Sequence, residues 1–167
     1  MVPAALRLIE PRDAEWVARA AYEWPSTHRW SLRGSSPKPE VIALLLWKGV
    51  ATQQAIVDDD GRPLALLQVY DLDLHSGYAY VSALVHPSRG EDPVAIRSLA
   101  AQFIATTVND FPLRLLYVDV TADQAADTVT WLFPQAQCEA VLSSHERRSV
   151  GVYVDLQIYT IRTPETR

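Results

Sequence analysis

A few side chains in this sequence have the chemistry to move a proton near neutral pH, and their spacing says which can act together. His145 is followed directly by Glu146. An imidazole titrates near neutrality, and a carboxylate beside it can hold its tautomer. Neighbours on a strand point to opposite faces, however, so the two do not pair directly, and His145 also reads as an ordinary hairpin histidine. Ser82 and Tyr80 are two apart in an apolar run and share one strand face, while Asp119 stands near the end of a second run, residues 113–120 (LRLLYVDV). Nucleophilic serine chemistry lacks its signature, because Ser82 is not on a Gly-x-Ser-x-Gly elbow. Cys138, the single cysteine, reads as buried packing on a strand rather than as a nucleophile. Asp58-Asp59-Asp60-Gly61 has no further ligand spaced as a calcium loop requires, so no metal site is expected.

The element that must position these groups is residues 78–108, a strand, a polar turn and a helix. Tyr78, Tyr80, Ser82 and Leu84 alternate with Ala79, Val81, Ala83 and Val85, which predicts a central strand covered on both faces. Ile96, Leu99, Ala100, Phe103 and Thr107 then recur every three or four residues, one stripe of a helix. Between them, residues 86–93 bring a strand end to a helix N-terminus, where backbone N–H groups and the positive end of the helix dipole suit a phosphate. Glu91 and Asp92 also read as caps of that helix, with Pro93 in its first turn.

The rest of the chain alternates in the same way. Residues 6–9 form a short strand, and Asp13 caps a helix with Trp16, Val17, Ala20, Ala21 and Trp24 as its stripe. Residues 25–37 are a loop punctuated by Gly34 and prolines. Ser36 and Pro37 open a second helix with residues 41–47 as its apolar body. Strands at 51–57 and 63–74, turning through Asp-Gly, lead into the central strand as an antiparallel meander. Residues 113–120 follow a helix and so lie parallel to the central strand. A helix with Ala126, Val129, Trp131 and Leu132 comes next, then strands at 138–146 and 150–161 around a turn at 147–149. The last strand carries Val152, Val154, Leu156 and Ile158 on one face against Tyr153, Asp155, Gln157 and Tyr159 on the other.

Composition bounds the function. A chain of 167 residues with 49% apolar content makes one well-cored domain. One cysteine allows no internal disulfide, and no signal pattern or membrane-length apolar run is present, so the expected location is cytoplasmic with no membrane partner. A net charge of −5 argues against nucleic acid.

Val85-His86-Pro87-Ser88-Arg89-Gly90 before an amphipathic helix resembles the central strand and pyrophosphate loop of the GNAT superfamily of acyl-CoA-dependent N-acyltransferases. The order of elements resembles that fold along nearly the whole chain. The resemblance implies an α/β protein, with a mixed, mostly antiparallel sheet of about seven strands and about four helices. It also implies acetyl-CoA or another acyl-CoA as cofactor, with Leu84 and Val85 holding the pantetheine and carbonyl by their backbones. Arg89, Gly90, Glu91, Asp92, Val94 and Ala95 would surround the pyrophosphate. The loop departs from the family pattern at Glu91, Asp92, Pro93 and Val94, where small residues are expected: two carboxylates face an anion site and one N–H donor is lost. On the later helix, matching Ala126 places Asp123 at the family's asparagine and Thr130 at its tyrosine acid, a role threonine does not serve easily. The family's glutamate base has no counterpart on the central strand, which leaves Ser82, Tyr80, Asp119 and His145 as substitutes. His28, Arg29, Trp30 and Arg33 would line the acceptor entrance, or serve as surface loop residues with Trp30 as anchor.

A closer likeness runs through Trp24-Pro25, Arg29-Trp30, Gly34, Leu46-Trp47, Gly49-Val50, Val69-Tyr70 and Gly77-x-Ala79-Tyr80. These pieces resemble a group of bacterial GNAT-like proteins, some of them from biosynthetic pathways. The function implied is N-acylation of a small amine, with the last strand able to pair across a homodimer. The competing expectation is a GNAT-fold protein without CoA-dependent activity, binding a small molecule or running another reaction in the same cleft.

Overall fold

Alternation along one strand decides the architecture, because a strand apolar on both sides must be covered on both sides. The computed structural model describes residues 4–24, 38–87, 93–121 and 126–163. In chain order the elements are β1 (Ala5–Leu8), a 3₁₀ turn (Pro11–Asp13), α1 (Ala14–Glu23), α2 (Pro39–Leu45), β2 (Val50–Val57), β3 (Pro63–Asp73), β4 (Tyr78–Val85), α3 (Pro93–Asp110), β5 (Leu115–Thr121), α4 (Ala126–Leu132), β6 (Gln137–Ser149) and β7 (Val152–Arg162). The strands form one sheet in the order β1-β2-β3-β4-β5-β7-β6. Among the described strands only β4 and β5 run parallel, as expected for two strands joined through a helix.

Helices cover both faces. Ile96, Ala100, Phe103 and Ile104 of α3, with Val129 and Leu132 of α4, pack on Ala79, Val81, Ala83 and Val85 of β4 and on Leu116, Val118 and Val120 of β5. Phe103 is 1% exposed, and burying a side chain of that size contributes about 1.5–3 kcal/mol. On the other face, Val17, Ala18 and Ala20 of α1 and Ile42 of α2 pack on Ala55, Val57, Leu66 and Leu84.

A charge pair ties α1 to the first strand. The Asp13 carboxylate accepts from Arg7 Nη2 and Nη1 at 2.7 and 2.9 Å, from the Glu10 N–H at 2.7 Å and from Trp16 Nε1 at 2.9 Å. Burial works to raise its pKa, but these hydrogen bonds outweigh burial and hold the carboxyl below the ordinary carboxylate value.

Some local expectations are corrected. Asp13 does precede α1, but its carboxylate reaches back to Glu10 and makes no cap hydrogen bond on that helix. The second helix starts at Pro39 behind Lys38, because a proline needs no N–H partner in the first turn; Ser36 and Pro37 lie outside the described residues. The closing turn is at Val150 and Gly151, where Gly151 has φ +76°, so β6 runs on through residues 147–149. Near the end of β7 the core side is that of Tyr159 and Ile161 rather than that of Val152 and Val154. Tyr159 pairs with Val118, whose face packs under α3 and α4.

Candidate functional site

The strands β4 and β5 are paired only at Tyr78/Leu115, Ala79/Leu116 and Tyr80/Tyr117. Beyond that point β4 stays bonded to β3 as far as Val85, and β5 stays bonded to β7 as far as Thr121. Residues 81–85 and 118–121 therefore border an opening in the middle of the sheet, with no ladder across it. The helix α3, opened by Pro93, begins beyond the same end of β4.

Period two divides the side chains at this opening between the faces. Val81, Ala83, Val85, Val118 and Val120 belong to the α3 side. Ser82 and Leu84, with Asp119 and Thr121, belong to the α1 side, one step beyond a row of tyrosines. Tyr70 and Tyr80 stack with ring centroids 5.7 Å apart, Tyr80 and Tyr117 are 5.4 Å apart, and Tyr78 stands edge-on to Tyr117 at 5.7 Å. Cross-strand registers create this row, since Tyr70 faces Tyr80 and Tyr80 faces Tyr117.

A second row, polar and buried, lies one step closer to the opening. Gln53 Nε2 donates to the Leu46 carbonyl at 2.9 Å, Gln68 Nε2 to Gln53 Oε1 at 3.3 Å, and Ser82 Oγ to Gln68 Oε1 at 3.4 Å. Leu46 stands at the end of α2, where helix carbonyls lack intrahelical partners. Asp119 is 3% exposed.

Of the residues expected at the site, Ser82, Tyr80 and Asp119 come together on one face of the opening. Leu84 and Val85 form its β4 border, Leu84 in the core under α1 and Val85 in the core under α3. Val94, 63% exposed, and Ala95 sit in the first turn of α3. His145 is not brought to this group: it is exposed on the edge strand β6, inside a bulge where Ser144 has φ +49°, and β7 lies between it and β5. Arg89, Gly90, Glu91, Asp92 and Asp123 lie outside the described residues, as do His28, Arg29, Trp30 and Arg33. The ends of the described chain are nonetheless informative, because the Trp24 ring meets His86 edge-on at 4.9 Å. Trp24 therefore stands beside the end of β4.

Other candidates have structural partners. Thr130 is exposed and donates its hydroxyl to the Asp127 carbonyl at 3.3 Å; Cys138, expected to be buried, is instead exposed on the edge strand β6, with Sγ 3.7 Å from the Ala140 carbonyl. Asp58 accepts the Arg62 N–H at 2.8 Å and closes the β2–β3 turn with Gly61 at φ +75°. Among the described residues, no group of three or more His, Cys, Asp and Glu side chains is placed to hold a metal ion. Among the described residues, no helix is long and apolar enough to cross a membrane.

Sequence reasoning missed the glutamines of the polar row and the roles of Tyr70 and Tyr117. Their signal was a polar side chain at inward positions of two adjacent strands, legible only once Gln53 is known to face Gln68. It also missed Tyr159, 7% exposed under α4, whose hydroxyl donates to Gln157 Oε1 at 3.1 Å and whose pKa is raised chiefly by burial.

No protein-family model matches the chain, and no curated protein matches it. Solved structures do. Spermidine N-acetyltransferase from Vibrio cholerae in complex with CoA and spermine matches with TM-score 0.75 at 12% identity, over 96% of this chain and 95% of that one. A chimera of the Vibrio cholerae enzyme with hSSAT matches with TM-score 0.75 at 13% identity, over 96% and 95%. A protein assigned as a phosphinothricin N-acetyltransferase matches with TM-score 0.72 at 18% identity, over 97% and 99%. At such identities the likeness is one of architecture, and by its sheet order, its covering helices and its opened parallel pair this chain has the GNAT fold.

Proposed function

We propose that the protein is an acyl-CoA-dependent N-acyltransferase, in the simplest case an acetyltransferase, acting on a small amine. The observation that carries this reading is the opening between β4 and β5, bordered by residues 81–85 and 118–121 and placed before the first turn of α3. It fits an extended arm threaded through the sheet: the α3 side is lined by Val81, Ala83, Val118 and Val120, and the α1 side carries Ser82, Asp119 and the tyrosine row. Acyl-CoA supplies an activated acyl carbonyl and a thiol leaving group. The β4 border along Leu84 and Val85 orients that carbonyl. As the C–N bond forms and the thioester C–S bond breaks, Asp119 would take the proton that the amine loses, with Ser82 and Tyr80 holding the nitrogen, and that proton would return to the departing thiolate. His145 does not serve as this base, because β7 lies between it and β5, whereas Asp119 borders the opening itself. Val94 and Ala95, with Arg89, Gly90, Glu91, Asp92 and Asp123, would receive the cofactor's charged end, and His28, Arg29, Trp30 and Arg33 the acceptor. The acceptors named for the structural neighbours, spermidine and phosphinothricin, are the first amines to try.

The proposal extends to a cytoplasmic, bacterial enzyme of a biosynthetic pathway, and to a homodimer. The last strand does not pair across it as expected, because β7 is bonded to β5 on one side and to β6 on the other, which leaves the outer strand and turn of the β6–β7 hairpin. Its exposed Val141, Val150, Val152 and Tyr153 support that surface. A monomer by light scattering would remove the dimer from the reading.

Thr130 favours the second reading, a GNAT-fold protein without CoA chemistry, because an exposed threonine stands where a tyrosine acid is expected. Calorimetric titration with acetyl-CoA and with free CoA separates the two. Micromolar binding, about −8 kcal/mol, is expected, and the absence of both heat and thermal shift would leave the second reading. With binding in hand, replacing Glu91 and Asp92 by glycine tightens CoA, because repulsion is removed; unchanged affinity would mean that the pyrophosphate lies elsewhere.

A further inference from the structure

The polar row beneath α2 has a direction, and the direction cannot be reversed. A backbone carbonyl only accepts hydrogen bonds, so the Leu46 oxygen requires the amide nitrogen of Gln53. That turns Gln53 Oε1 toward Gln68, which must then present its own nitrogen. Gln68 Oε1 is left facing Ser82, and the serine hydroxyl has to donate. Each amide orientation follows from the one before, starting at an orphan helix carbonyl. The Ser82 proton is thereby committed to the β3 side, and its lone pairs are left for what stands on the β5 side. Among the described residues no second hydrogen bond reaches this hydroxyl, although Ser82 is 1% exposed. Continuing the register beyond Tyr80/Tyr117, the residue across from Ser82 is Asp119, itself an acceptor through its carboxylate. A ligand group between two acceptors must bring hydrogen-bond donors.

We propose that Gln53 and Gln68 are positioning residues that fix the Ser82 hydroxyl as an obligate acceptor at the β4–β5 opening, and that the group it receives is an N–H of a primary ammonium or amine. As an account of acceptor choice this rests on the acyltransfer reading; as an amine site it stands without it. The chain excludes ligands that present only acceptors there, such as carboxylates, because nothing on Ser82 is left to donate to them. It also explains the burial of three uncharged polar side chains in one row, with Gln53 1% and Gln68 5% exposed, where apolar residues would pack the sheet equally well.

The test uses n-butylammonium and butyrate as probes, titrated into the full-length protein without CoA while the side-chain amide signals of Gln53 and Gln68 are followed by NMR. Saturable shifts with n-butylammonium, none with butyrate, and their loss in Ser82→Ala are expected. No saturable shift, an equal response to butyrate, or an undiminished response in Ser82→Ala overturns the site. The positioning role is read in a second pair of variants. Gln68→Leu should weaken n-butylammonium at least fivefold while leaving the acetyl-CoA affinity unchanged. Gln68→Glu can continue the chain only as the neutral acid, which donates to Gln53 and accepts from Ser82, so its amine affinity should be retained at low pH and lost as the carboxyl ionises. Wild-type affinity in both variants at every pH overturns the relay. CoA also carries amide N–H groups, so shifts of the same two signals that depend on Ser82 with CoA but not with n-butylammonium would overturn the amine assignment. Failure of CoA to bind in calorimetry would instead sink the acyltransfer reading and leave the amine response untouched.

Discussion

The two faces of β4 are made from the same eight residues and behave as different materials. Toward α3 the strand shows Ala79, Val81, Ala83 and Val85, all within 2% exposure, against Ile96, Ala100 and Phe103. Toward α1 it shows Tyr78, Tyr80 and Ser82, which meet tyrosines and a glutamine on the neighbouring strands, before Leu84 joins the apolar core under α1 and α2. The first face gains its stability from area removed from water, which is non-directional. The second is held by directional contacts, each of which fixes an atom in place. A site that must present a particular lone pair needs the second kind, and the first kind holds the strand rigid beneath it.

The helical layers repeat the contrast, and the largest expected effects test it there. Phe103→Ala on the α3 side should cost about 3–5 kcal/mol in urea unfolding, by loss of transfer energy and a cavity. Asp13→Ala on the α1 side should cost less, about 1–3 kcal/mol, because it leaves the Glu10 N–H and Trp16 Nε1 without their acceptor and the part-buried Arg7 guanidinium to water. Acidification then tells the two apart. The native pKa of Asp13 is depressed, so its contribution is present above the ordinary carboxylate value, about 3.9, and is lost as pH falls from there through the native value. Phe103→Ala should keep the wild-type slope of stability in that range, and Asp13→Ala should flatten it. Equal slopes in both variants would mean that the α1 layer is not held by charge.

A smaller effect distinguishes adjacent residues on β4. Ala83→Ser puts a hydroxyl into the apolar face and should destabilise by about 1–3 kcal/mol. Ser82→Ala removes one long hydrogen bond from the polar face and should cost about 1 kcal/mol. The order inverts in amine binding, where Ser82→Ala is the damaging change. The smallest effect is expected of Tyr117→Phe, which keeps the ring at 5.4 Å from Tyr80 and should leave stability within about 0.5 kcal/mol. A loss above that would show that the hydroxyl, and not ring packing, holds the row.

Much of the fold is legible in the sequence for local reasons. Alternation at 78–85 specifies a strand with two covered faces, the spacing of Ile96, Ala100, Phe103 and Thr107 specifies one helix stripe, and Asp58 to Gly61 specifies a turn. Each is a period or a dihedral preference, a property of neighbours along the chain. Ser82, Tyr80 and Asp119 are legible as candidates because strand period and strand ends are local as well. The expectation for His145 as a partner of that group rests on type alone, and type says nothing about the intervening β7. Pairing register is the quantity that sequence leaves open, since a slip of one residue reverses every face. It is tertiary structure that sets Gln53 against Gln68, Gln68 against Ser82 and Tyr80 against Tyr117, and that ends the β4–β5 ladder there. The sequence determined which residues can do chemistry and which strands carry them; the register, fixed by packing both faces at once, decided which atoms meet.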